Sequence, residues 1–319
     1  MKPQEIGTVF GFFSGMRIGL PQAFGFHYYR SLWKIFLTEL GFTVIQSGGT
    51  NKEILHQGLA VSPSEACLPL KCFMGHVLSL IPRADYLFIP RLVCLQHRPA
   101  VGWGCPKYIA LPDMVKAVSP NTRIISPCID CRKTTIRDSF AQSVKTVGVS
   151  RKKALSAFDI AHDISSSAKA RSDFGTFDDE KPLTIALLGH AYLINDPFLS
   201  LDLKSRIKAL GCRVIDYSAY GSSAKLKSKR HPLSWYFEED ILLSAEKLLG
   251  SSHIDGIVYL LSFGCGAGSI TSEIIHLEIR TAQSVPLLRV IIDEHTAEAG
   301  LNTRLESYID MLNMRKETV

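Results

Sequence analysis

Three cysteines stand in short motifs of unusual composition: Cys67 in SPSEACLPLKC, Cys105 in VGWGCPK and Cys265 in LLSFGCGAG. In the last of these, Gly264, Gly266 and Gly268 surround the thiol, a density that suits positive φ angles or a close approach of backbone to a ligand. A helix-like segment follows, so amides and a helix N-terminus point toward whatever lies there and favour negative charge. A thiolate, or an iron–sulfur cluster with its anionic sulfides, is a suitable occupant. Ser62 and Glu65 have capping-box spacing, but Pro69 would break a helix begun there. The pattern therefore predicts a turn holding Cys67 and a main helix starting near Pro69. Cys105 sits in a Gly-Cys-Pro turn beyond a predicted strand.

Three thiolates from three separate connections, converging on a water-poor crevice, suit an iron–sulfur cluster. On a four-iron cluster they leave one iron open to a small ligand, and oxygen sensitivity follows. Zinc is the main competitor, although structural zinc usually draws four ligands from two close pairs. Cys94, Cys212 and Cys72 read as buried apolar residues. Cys128 and Cys131 in PCIDC have CxxC spacing, which fits an additional metal position, a dithiol or two half-buried thiols. His295 and Glu298 in IDEHTAEAG are candidate catalytic residues after the last strand; a helix start capped by Asp293 or Thr296 explains the motif equally well. His190 and Asn195 occupy a corresponding edge, and His76 reads as a core residue. Neither a Walker motif nor a complete dinucleotide fingerprint occurs, so no ATP site is expected.

The elements that must position these residues alternate. RIGLPQ, FTVIQS, DYLFIP and RIISP read as strands, with FHYYRSLWKIFLTEL as an amphipathic helix and NKEILHQG as a short helix ended by Gly58. After Pro182, LTIALLGH, CRVIDY, DGIVYLLSF and PLLRVIID alternate with helical segments. This predicts an α/β protein with two doubly wound parallel-sheet domains and a cleft between them. The expected boundaries are an N-terminal domain over 1–148 carrying Cys67 and Cys105, a helical linker over 149–181, and a C-terminal domain over 182–319 carrying Cys265.

The 319 residues, 46% hydrophobic and 21% charged, suit a globular fold and leave no run long enough to span a bilayer. The expected location is cytoplasmic, where eight free cysteines need burial or metal. The net charge of +6 is scattered, apart from clusters at Arg151 to Lys153 and Lys225 to Arg230, and no nucleic-acid module is present.

The motifs SEACLPLKCFMGHV, CPKYIALPDMV, LINDPFLSLDL, FGCGAGSITSEII and IDEHTAEAGLNTRLESYIDML resemble the acyl-CoA dehydratase activase-related family, over about Arg17 to Leu312. That family is kin to the 2-hydroxyacyl-CoA dehydratases and the double-cubane cluster proteins. The resemblance implies flavodoxin-like domains and a [4Fe-4S] cluster on Cys67, Cys105 and Cys265. It implies low-potential electrons from a separate ATP-hydrolysing activase, and a small substrate such as an acyl-CoA, in a homo- or heterodimer. The chain departs from the family at SPCIDCRK, where Cys128 and Cys131 leave room for a larger, double-cubane cluster. A dehydratase subunit and a non-catalytic scaffold are the alternative functions.

Overall fold

The computed structural model describes residues 15–97, 101–170, 183–217, 233–249, 253–282 and 285–317. Two four-stranded parallel sheets organise them. The first contains β1 (Arg17–Leu20), β2 (Thr43–Gln46), β3 (Tyr86–Phe88) and β6 (Ile124–Ile125), in the order β2-β1-β3-β6. The second contains β8 (Thr184–Gly189), β9 (Arg213–Asp216), β10 (Gly256–Ser262) and β11 (Leu287–Ile292), in the order β11-β10-β8-β9. In both, the chain starts at an inner strand, steps outward once and then crosses to the other side. That reversal is the signature of doubly wound α/β sheets, whose ligands bind beyond the carboxyl ends of the strands. Every residue of β8 and β10 is buried, as strands covered on both faces must be.

A third, small sheet escapes the sequence pattern. It joins β4 (Arg91–Gln96) to β5 (Gly102–Trp103) in antiparallel fashion and to β7 (Cys128–Asp130) in parallel. β5 and β7, two and three residues long, carry no readable alternation, and the six-residue β4 pairs only with them. This sheet also ties the two halves of the chain, because Trp103 N donates to Ser234 O at 2.7 Å. The largest apolar cluster likewise draws on both main sheets, with Ile18 and Leu20 from one and Val258 and Leu260 from the other.

Helices cover the sheets. α1 (Phe26–Glu39) buries Trp33, Phe36 and Leu37 and ends near Gly41, at φ +90°. α6 (Arg151–Ala170), predicted as a connecting helix, packs along α1. α2 (Lys52–Val61) runs through Gly58 instead of ending there. The reason is packing: a Cβ on Gly58 would stand 1.8 Å from the carbonyl oxygen of Lys71 on α3 (Leu68–Leu80). Gly58 is thus the contact point of two crossing helices, not a terminator. Among the described residues, no helix is long and apolar enough to cross a membrane.

Candidate functional site

Cys67 and Cys105 occupy equivalent places. Cys67 is the N-cap of α3 with φ −65° and ψ 148°, and Cys105 is the N-cap of α4 (Pro106–Val118) with φ −67° and ψ 158°. Proline in the first turn of each helix gives up an N–H that would lack a partner anyway and presets φ. The predicted turn at Cys67 and the helix start beside Pro69 are both present. Cys265 immediately precedes α10 (Gly266–Ala282), and its Sγ accepts from Gly268 N at 3.4 Å. Each thiol therefore stands at the positive end of a helix of 13 or 17 residues.

The three helix ends meet. Gly264 has φ +74°, and a Cβ there would lie 3.4 Å from both Cys67 Cα and Glu65 O. Lys107, two residues beyond Cys105, donates from Nζ to Gly264 O at 3.1 Å and also hydrogen-bonds Cys67. Burial pushes the Cys67 thiol up, with the Lys107 charge opposing. Burial likewise pushes Cys105 up, against the backbone N–H groups of Tyr108 and Lys107. Cys265 bears electrostatically on both thiols, and Cys67 on Cys105. A bound metal centre would supply the positive charge that converts such thiols to thiolates.

An aromatic wall backs the site. Phe24, Tyr108 and Tyr192 lie with ring centroids 4.9 to 6.5 Å apart, and Phe237 joins them at 5.3 Å from Tyr108. Behind Cys265 stand two buried polar residues: His190 Nε2 lies 2.9 Å from Glu238 Oε1, and His190 Nδ1 lies 3.2 Å from the Tyr28 hydroxyl. Burial works against a charge on His190, but Glu238, Tyr28 and Cys265 outweigh it and raise its pKa well above the usual range. Sequence reasoning passed over Glu238 and Tyr28, which sit in amphipathic helical stretches without a motif.

The other sequence candidates lie elsewhere. Cys128 is exposed and opposes Arg91, while Cys131 Sγ donates to Leu95 O at 3.4 Å. The two therefore contact β4 separately, and Cys131 neighbours Cys94 electrostatically. Cys72, Cys94 and Cys212 are buried as expected. His295 is exposed, with its amide bonded to Asp293 Oδ1 at 3.0 Å. Asp293 also accepts from the Thr296 hydroxyl at 2.7 Å, so the motif folds on itself before α11 (Glu298–Glu317). Glu298 pairs with Arg206 at 2.6 Å at the surface. Glu294, between Asp293 and His295, instead meets the buried Lys71 of α3 at 2.5 Å. Among the described residues, none comes within 4 Å of where a Cβ on Gly266 would stand. Arg151 to Lys153 form an exposed turn of α6; Lys225 to Arg230 lie outside the described residues, as does 171–181 of the predicted linker.

A separate cavity of about 600 Å³ opens beside α1, lined by Gln22, His27, Arg30, Thr50, Asn195 and Asp196 among others. Two of its lining residues, Thr50 and Asp196, belong to a hydrogen-bonded chain. Ser47 Oγ meets His76 Nδ1 at 2.8 Å, His76 Nε2 meets Thr50 Oγ1 at 2.9 Å, and Thr50 donates to Asp196. Burial holds His76 at about 4 and thus neutral.

Comparison with known proteins gives a family but little more. No curated protein matches the chain. The solved structure of the SBP FpvC in complex with a Ni2+ ion from P. aeruginosa is 11% identical over 93% of this chain and 94% of that chain. Its TM-score of 0.27 carries no argument. The family model described as "CoA enzyme activase uncharacterised domain" matches residues 17–219, a span that includes the Cys67 and Cys105 motifs and His190. The chain belongs to this activase-related family.

Proposed function

We propose that the protein is an iron–sulfur protein of the 2-hydroxyacyl-CoA dehydratase and activase-related type, with Cys67, Cys105 and Cys265 as ligands of a [4Fe-4S] cluster. One observation carries the reading: three thiols far apart in sequence share one neighbourhood, each at a helix N-terminus. The donor set fits the group. Thiolates hold iron, and N–H groups near the sulfurs stabilise the negative charge of a cluster. Gly268 N already bonds Cys265 Sγ, and Lys107 contacts Cys67.

When bound, such a cluster supplies one-electron chemistry and an iron without a protein thiolate. The chain's own residues exclude water through Tyr108, Tyr192 and Phe237, which are all buried. Lys107 holds the Cys67 and Cys265 loops in register. A separate ATP-hydrolysing activase is the proposed electron donor, because neither a Walker motif nor a complete dinucleotide fingerprint occurs in the sequence. A small molecule such as an acyl-CoA is the proposed acceptor, in the cytoplasm, with the cleft between the two sheets as its place.

Anaerobic reconstitution with iron and sulfide tests the reading. The expected product is brown, contains iron and sulfide in equal amounts, and shows a paramagnetic signal on reduction. A colourless protein that takes up neither would overturn it and favour a scaffold role.

A further inference from the structure

His190, Glu238 and Cys265 offer one nitrogen, one carboxylate oxygen and one sulfur, all within 4.8 Å of one another. His190 is 7% and Glu238 3% exposed. Glu238 Oε1 faces His190 Nε2 at 2.9 Å, while Glu238 Oε2 is buried without any hydrogen-bond partner among the described residues. An orphaned buried carboxylate oxygen is costly and calls for a donor or a cation. On its other side, His190 Nδ1 meets the Tyr28 hydroxyl at 3.2 Å, and that hydroxyl accepts from Ala191 N at 3.0 Å. With His190 protonated, Nε2–H donates to Glu238 Oε1; a cation that displaces this proton takes the Nε2 lone pair while Nδ1–H stays on Tyr28. Two lone-pair atoms at that distance need a positive centre, either a shared proton or a metal ion. A second group that fixes the far nitrogen of an imidazole is also how proteins orient a ligating histidine.

We propose that His190, Glu238 and Cys265 bind a single divalent cation of the zinc type in chains that carry no cluster. One nitrogen, one oxygen and one thiolate with a fourth position open match the three-ligand zinc pattern. Zinc bonds of about 2.0 to 2.3 Å set tetrahedral ligand atoms about 3.3 to 3.8 Å apart, so the His190–Glu238 pair opens from 2.9 Å by about 0.4 Å while the wider pairs, at up to 4.8 Å, close by about 1 Å. The soft thiolate and the imidazole disfavour magnesium and calcium. The site stands on its own geometry. One consequence rests on the proposed function: Cys265 serves both occupants, so zinc and the cluster exclude one another and zinc blocks cluster assembly.

The test is a zinc titration of the full chain, stripped of metal and never exposed to iron or sulfide, against a chromophoric chelator. One equivalent of zinc is expected, with affinity falling about tenfold or more in His190→Ala, Glu238→Gln and Cys265→Ser. Cys67→Ser and Cys105→Ser leave the zinc affinity unchanged within about twofold, although the proposed cluster needs both thiols. Cobalt in place of zinc reports the same set optically: the thiolate-to-metal band persists in Cys67→Ser and vanishes in Cys265→Ser. The near-isosteric Glu238→Gln guards against loss by misfolding, and thermal melting verifies each variant. Absence of a stoichiometric zinc, full affinity in Glu238→Gln and His190→Ala, or equal losses in all three cysteine variants would each overturn the proposal. Iron and sulfide uptake by wild type is read separately, so failure of the cluster and failure of the zinc site are distinguishable.

Discussion

Gly264 stands in the left-handed region at φ +74°, with its missing side chain facing the backbone of Cys67 at 3.4 Å. Two loops nearly two hundred residues apart are joined at this point, and Lys107 from the third cysteine motif binds the Gly264 carbonyl. An alanine at 264 must adopt a conformation that costs about 1–2 kcal/mol in an L-residue. Gly264→Ala is expected to lower stability by that amount in denaturant titration and to reduce iron uptake. Unchanged stability together with full iron would contradict the close approach.

Lys71 and Glu294 form an ion pair at 2.5 Å, with side chains 4% and 19% exposed. Removing one partner of a buried pair leaves an uncompensated charge and costs about 3–5 kcal/mol. Lys71→Ala is expected in that range, whereas the double variant Lys71→Met, Glu294→Leu recovers most of the loss. Urea unfolding of the single and double variants measures the difference.

His76 ties stability to pH. Its folded pKa is about 4 against an ordinary 6.5, because burial disfavours the charged form. Between these values the unfolded chain binds a proton that the folded chain refuses, so stability falls as pH drops from 6.5 to 4 and the loss is complete below 4. The depression amounts to about 3 kcal/mol. His76→Gln should flatten this part of the stability profile, and an unaltered slope would count against a neutral His76.

Gly58 and Gly75 mark the crossing of α2 and α3: a Cβ at either would fall 1.8 Å from a backbone oxygen of the other helix. Backbone cannot yield as a flexible side chain does, so Gly58→Ala is expected to cost about 1–3 kcal/mol. Thermal melting of Gly58→Ala measures it.

Much of this architecture was legible because parallel strands buried on both faces leave continuous apolar runs, as in DGIVYLLSF and LTIALLGH. The three cysteine motifs were legible because proline and glycine punctuate them. Gly58 misled because a glycine at a helix crossing looks, in sequence, like a glycine at a helix end. The sheet of β4, β5 and β7 was illegible because its parallel pairing is nonlocal and β5 and β7 are too short for a period. Glu238 was missed for a related reason: in WYFEEDILL it reads as a charge that favours a helix N-terminus, and only the tertiary fold sets it against His190 and Cys265. His295 and Glu298 follow a strand end, as crevice residues do, yet the chain turns there so that both are exposed and Glu298 pairs with Arg206.

The most direct measurement of the central claim is the iron and sulfide content of anaerobically reconstituted wild type and of Cys67→Ser, Cys105→Ser and Cys265→Ser. The account predicts a cluster in the wild type and loss of most of its iron in each variant, while Cys212→Ser, altered at a buried thiol outside the three motifs, retains it. Full iron in all three site variants would contradict it.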